Sequence, residues 1–254
     1  MQYCSIDMEM TGPNETIHSV LTIGIIVENT KKILPFDEIP KLYITILREN
    51  MTGTPYALNL NKDVIQSIKE YQRATSDKER DELSKKWGTE FMEENHAVAR
   101  IWEFLYDQQM VNFQSSVNIP MRKDEKTGKT YPAVMNGYKA KQTYLMVAGK
   151  NFNSLDKRFI EKLPNWNRLF SVRAGTLDPG MQYINWDEDD RVPSLHECKE
   201  RAGMEGYVSH NALDDAWDVV TSAKMKNKDA MNNAAWPIML GTLVRVMPRR
   251  SSLV

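Results

Sequence analysis

The sequence predicts an α/β fold, and three observations carry that prediction. Three apolar segments of strand character fall within the first fifty residues, the middle of the chain switches to helical periodicity, and the second half alternates strand with helix. Tyr3–Asp7 and Val20–Val27 read as strands joined by the turn-rich Thr11-Gly12-Pro13-Asn14 segment. Leu42–Leu47 follows after a short loop punctuated by proline. Connections this short imply an antiparallel meander, because parallel neighbours need a crossover of about a dozen residues or more.

Helical spacing then takes over. Val64, Ile65, Ile68 and Tyr71 recur at that spacing, and Ser76 with Glu79 three residues on is a capping-box signature. Residues 89–109 carry the strongest helical pattern: Val98, Ile101, Trp102 and Leu105 form an apolar stripe on a charged segment. Tyr144–Ala148 reads as another strand, followed by a helix from about Ser154 with Leu155, Phe159 and Leu163 on its apolar side. Asn153 or Ser154 can cap that helix. A strand near 174–178, a helix near 194–202 and a helix over about 211–225 complete the expected core. Trp102 and Trp217 lie in helical stretches and read as core residues rather than base-stacking platforms.

With 41% apolar residues over 254 positions, the chain can bury a sizeable core and falls outside the disordered class. The formal net charge of −1 leaves nucleic acid open as a partner, since a local basic groove matters more than the total. Cys4 and Cys198 stand far apart and outside any CxxC spacing, which excludes a disulfide scaffold and a thiolate zinc site. No run approaches a membrane span and the start lacks a signal-peptide pattern, so the expected location is the cytoplasm. Residues 1–225 are expected to form one domain holding a basic insertion at 121–144, with 226–254 as a C-terminal extension. From 121 to 150, Lys or Arg occupies seven positions (122, 123, 126, 129, 139, 141 and 150) against Asp124 and Glu125, and Lys126–Lys129 looks like a hairpin tip. Thr127-Gly128-Lys129-Thr130 is not a phosphate-binding P-loop, because the glycine required five residues before Gly128 is Lys123.

The acidic residues carry the chemistry. Asp7 and Glu9 are two apart at the end of an apolar strand, so alternation projects both from one face, with Ile6 and Met8 on the other. Paired carboxylates repel unless a cation lies between them, and hard oxygen ligands suit Mg²⁺ or Mn²⁺. Asp156 falls in the first turn of its helix, where an acid is ordinarily just a partner of the helix dipole. On the final helix Ala212, Ala216, Val219, Val220 and Ala223 form one stripe; Asp215 borders it, whereas Asp214 faces solvent. His210 sits just before that helix. The reaction that needs this set is in-line attack of water on a phosphodiester with two divalent ions about 3.5–4 Å apart. A neutral imidazole can then take the proton from water at physiological pH.

Asp7-Met8-Glu9-Met10-Thr11-Gly12, Asn153-Ser154-Leu155-Asp156 and His210-Asn211-Ala212-Leu213-Asp214-Asp215 resemble, in order and context, the three motifs of the DEDDh 3′-to-5′ exonucleases. Pro193-Ser194-Leu195 also looks like the segment this family places between its second and third motifs. The resemblance implies an RNase H-like fold, a mixed five-stranded sheet flanked by helices, here with the basic hairpin inserted. It implies Asp7, Glu9, Asp156 and Asp215 as ligands of two divalent cations, His210 as general base, Glu9 as catalytic with it, and Met10 and Thr11 as the hold on the terminal nucleotide. Leu155 departs from the aromatic residue usual before the second-motif Asp, and the insertion is not general to the family. Lys126 and Lys129 are expected to lie as an arm over the substrate strand; a solvated hairpin is the alternative on composition. Stand-alone bacteriophage exonucleases are the most similar subgroup, and the first motif is also similar to that of oligoribonucleases. The expected activity is release of nucleoside monophosphates from single-stranded DNA. The alternatives are an exoribonuclease on short RNA, a non-catalytic nucleic-acid-binding module, or a proofreading subunit.

Overall fold

The computed structural model describes residues 1–30, 34–111, 121–123, 130–132 and 142–232. The chain opens with β1 (Gln2–Met10), β2 (Val20–Asn29) and β3 (Lys41–Ile46), then α1 (Pro55–Leu60), α2 (Lys62–Arg73) and α3 (Asp77–Trp87). There follow β4 (Glu90–Met92), α4 (Glu94–Asp107), β5 (Met121–Lys123), β6 (Thr130–Pro132), β7 (Thr143–Leu145) and β8 (Val147–Ala148). The last part holds α5 (Asp156–Ile160), α6 (Trp166–Leu169), β9 (Phe170–Val172), α7 (Pro179–Tyr183), α8 (Leu195–Arg201) and α9 (Ala212–Asn232).

Five strands form one mixed sheet in the order β4-β3-β2-β1-β8. The expected meander is present: β1, β2 and β3 pair antiparallel, while β4 and β8 add parallel at the two edges. β1 lies inside the sheet, as its apolar sequence requires. One sheet face is apolar throughout, with Cys4, Ile6, Met8 and Met10 of β1 aligned beside Val27, Ile25, Ile23 and Val20 of β2. It is covered by Val98, Ile101, Trp102 and Leu105 of α4 and by Phe159 and Trp166 further along the chain. Each such side chain contributes on the order of 1.5–3 kcal/mol when fully buried. The opposite face starts apolar, with Tyr3 and Ile26 under Ala216, Val219 and Val220 of α9, and turns polar at Asp7 and Glu9.

Several boundaries differ from the sequence-based expectation. The helix expected over 89–109 begins at Glu94, because Gly88 ends α3 in a left-handed conformation (φ 62°) and sends Glu90–Met92 along β3. The run Tyr144–Ala148 is divided at Met146: β7 pairs with β9 in a separate two-stranded sheet, and β8 pairs with β1. The strand near 174–178 reduces to one bridge between Leu177 and Ala148, and the neighbouring strand is Phe170–Val172. Neither Asn153 nor Ser154 caps α5. Asn153 donates its amide to Thr176 Oγ1 at 2.7 Å, Ser154 donates its hydroxyl to Asn151 O at 2.8 Å, and the cap position belongs to Leu155. The capping box at Ser76 and Glu79 is present, and Ser194 with Glu197 forms another at α8. β5 and β6 pair antiparallel as the two arms of a hairpin; Lys126 and Lys129 lie outside the described residues, as do 233–254.

Candidate active site

The site is built where the sheet's second face turns polar. Alternation along β1 puts Ser5, Asp7 and Glu9 on the face opposite Ile6 and Met8, so both acids point toward α9. What admits α9 is Gly24, the cross-strand partner of Asp7. A Cβ on Gly24 would lie 2.3 Å from Ala212 O and 2.5 Å from Leu213 N, so the helix start rests on bare backbone. That contact brings Asp215, 5% exposed, to β1, and leaves Asp214 in solvent as the stripe predicts.

α9 enters through a network of short-range bonds. Asn211 Oδ1 accepts from the N–H groups of Leu213 (3.0 Å) and Asp214 (3.3 Å), capping the helix. Ser209 donates its hydroxyl to Asp215 Oδ1 at 3.3 Å, and the Asp215 N–H donates to Asn211 O at 2.9 Å. Between them His210 is exposed and holds a left-handed backbone (φ 53°), a conformation a non-glycine residue adopts at a cost of roughly 1–3 kcal/mol. Behind the loop, Lys199 donates to Asp218 Oδ2 at 2.6 Å and to Tyr207 O at 3.1 Å, fixing the segment that leads to His210.

Asp156, 3% exposed, reaches the same place from α5. The backbone N–H groups of Asp156 itself and of Met8 act on its carboxylate, which places the start of α5 beside the middle of β1. Asp7 and Glu9 each lie close enough to Asp156 and Asp215 to feel their charge. Burial, then Asp156, Asp215 and Glu9, hold the Asp7 carboxyl well above the usual carboxylate range. Burial and Asp215 push Glu9 up to about 8 against a hydrogen bond from Asn61. Asp156 is raised to about 7 by burial, and Asp215 to about 6 by burial and the neighbouring Asp218. Glu9, His210 and Asp215 each offer one ligand atom within 4.8 Å of the others. The charges acting on Asp7 are all negative, so the cluster as a whole calls for a cation.

The two residues after Glu9 are built into the fold. Met10 belongs to the apolar core, and Thr11 is fully buried, its hydroxyl accepting from Ser19 N–H at 3.0 Å and its carbonyl from Thr54 N–H at 2.9 Å. Asn61 is a neighbour of the site that the sequence reading passed over; its amide donates to Met10 O at 3.4 Å. Gly24 and Tyr43 were passed over as well. An isolated glycine inside an apolar strand is the one signal that marks a close backbone approach in advance.

No helix among the described residues is long and apolar enough to cross a membrane. No family model matches the chain, and no curated protein matches it in sequence. Solved structures do match. The zinc-ion-bound form of the Escherichia coli ExoI–ssDNA complex superposes with a TM-score of 0.52 at 14% identity, over 96% of this chain and 42% of the other. The Exonuclease I of Methylocaldum szegediense gives a TM-score of 0.50 at 14% identity, over 96% of this chain and 42% of that one. This chain therefore spans about two-fifths of the length of the structures it matches. Its mixed five-stranded sheet flanked by helices is the RNase H-type fold of those exonuclease I structures.

Proposed function

We propose that the protein is a metal-dependent 3′-to-5′ exonuclease of the DEDDh type that removes nucleoside monophosphates from single-stranded DNA. The observation that carries this reading is the convergence of Asp7, Glu9, Asp156 and Asp215 from three distant elements, with His210 beside Glu9 and Asp215. Such a set of oxygen donors fits two Mg²⁺ or Mn²⁺ ions, held by Asp7, Glu9, Asp156 and Asp215. When bound, the cations supply positive charge to the phosphodiester oxygens and a more acidic water.

The chain's own groups do the rest. Water attacks the terminal phosphorus in line, the new P–O bond forming as the bond to the 3′ oxygen breaks. His210, exposed at the rim, takes the proton from the water, and the buried carboxylates hold the charge pattern fixed around the reacting phosphate. In this reading the hold of Met10 and Thr11 on the terminal nucleotide falls to their backbone, since the Met10 side chain is packed in the core and Thr11 is fully buried. Lys126 and Lys129 extend the phosphate contact along the strand in this reading. The choice of single-stranded DNA draws support from the E. coli neighbour, which was crystallised with single-stranded DNA.

Labelled single-stranded DNA and RNA, digested with Mg²⁺ or with EDTA, test the proposal. Mononucleotides should leave from the 3′ end of DNA, and EDTA or Asp7→Ala should abolish their release. His210→Ala should lower kcat by about 10²–10⁴-fold, the usual contribution of a positioned base. Faster digestion of RNA would assign the enzyme to short RNAs. A folded wild type that binds but degrades neither would make the protein a binding module.

A further inference from the structure

We propose that Tyr43 is a positioning residue, holding His210 toward the carboxylates through Asn211; the inference rests on the exonuclease reading above. The placement follows from strand register. Tyr43 of β3 pairs with Gly24 of β2, and Gly24 pairs with Asp7 of β1, so the three residues form one row across the sheet on the α9 face. Gly24 contributes no side chain to that row, and the start of α9 occupies the space above it. Tyr43 therefore stands beside the first residues of α9.

Asn211 is held on all sides. Its Oδ1 caps the helix, its N–H donates to Ser209 Oγ at 3.2 Å, and its carbonyl accepts from Asp215 N–H. Its remaining amide group donates to the Tyr43 hydroxyl at 3.3 Å. This bond links β3 to the residue directly after His210, across 168 positions of sequence. His210 has no helix or strand of its own to fix its left-handed backbone, so its direction depends on how firmly Asn211 is held. Burial first, with Glu9 and Asp214 adding, pushes the Tyr43 hydroxyl up to about 12, so it stays protonated and neutral beside the acids.

A double-variant cycle tests the linkage. Tyr43→Phe keeps the ring and removes the hydroxyl; Asn211→Ser keeps a capping oxygen and withdraws the amide. Each single variant should lower kcat by about tenfold with KM within about twofold of wild type, and the double variant should be no slower than the slower single. The His210 imidazole NMR resonance, assigned by its loss in His210→Ala, should move in Tyr43→Phe. Wild-type kcat with an unmoved resonance in Tyr43→Phe would overturn the proposal, as would losses that multiply in the double variant. If the wild type degrades no nucleic acid, the exonuclease reading falls separately. The resonance then decides the linkage alone: a shift in Tyr43→Phe retains it, and an unmoved signal sinks it.

Discussion

At the scale of single residues, the acidic cluster acts against the fold that assembles it. Glu9, Asp156 and Asp215 sit at about 8, 7 and 6 in the folded chain, mainly because burial disfavours their charged forms. In the unfolded chain the same groups ionise near about 4. Raised carboxyls bind more protons when folded, so the stability they contribute is full below about pH 4 and is lost as pH rises toward 8. Thermal melts in EDTA should therefore show Tm falling between about pH 5 and 8, and a flat profile would contradict the assigned cause. Asp7→Asn removes one of the repelling charges at constant shape, and in EDTA at pH 8 it should melt above wild type. Of these residues, Asp7 and Glu9 were legible from strand alternation and Asp215 from its place beside the helix stripe. Asp156 was not. In sequence it is an ordinary first-turn acid, and what distinguishes it is its nearness to Met8 and Asp7, far away in the chain.

At the scale of elements, close approach decides what the site can be. Gly24→Ala would drive a methyl group into the Ala212 carbonyl, and backbone there cannot step aside as a side chain can. Overpacking of this kind costs about 1–3 kcal/mol. We expect both a lower Tm and a larger loss of activity than the stability change alone accounts for, since the helix carrying Asp215 must shift off β1. A variant with unchanged Tm and activity would show that α9 does not need the contact. Ser194→Ala removes a capping box from α8 and should cost about 1 kcal/mol in a chemical denaturation curve. The meander and the large helices were legible because their periodicity spans many residues. β4 and the division at Met146 were not, because two- and three-residue strands are set by the neighbour they pair with rather than by their own pattern.

At the scale of the whole molecule, the site ties β1, α5 and α9 together, elements that enter the chain near residues 7, 156 and 215. A cation bound there stabilises only the assembled state, by about 2.7 kcal/mol at a hundred times its dissociation constant. Mn²⁺ should therefore raise Tm in wild type and leave Asp7→Ala unmoved, and equal shifts in both would place the ion elsewhere. The fold class was legible from the order of strand and helix patterns alone. The convergence was legible only through likeness of motifs, because no local pattern states which distant segments meet. The sheet that brings them together also ends abruptly on each side. Its outer strands, β4 and β8, are three and two residues long, and Leu177 already exchanges backbone hydrogen bonds with β8 through Val147 and Gly149. Outer strands this short offer a second copy little template for pairing along their own length, which disfavours edge-to-edge association and the aggregation it nucleates.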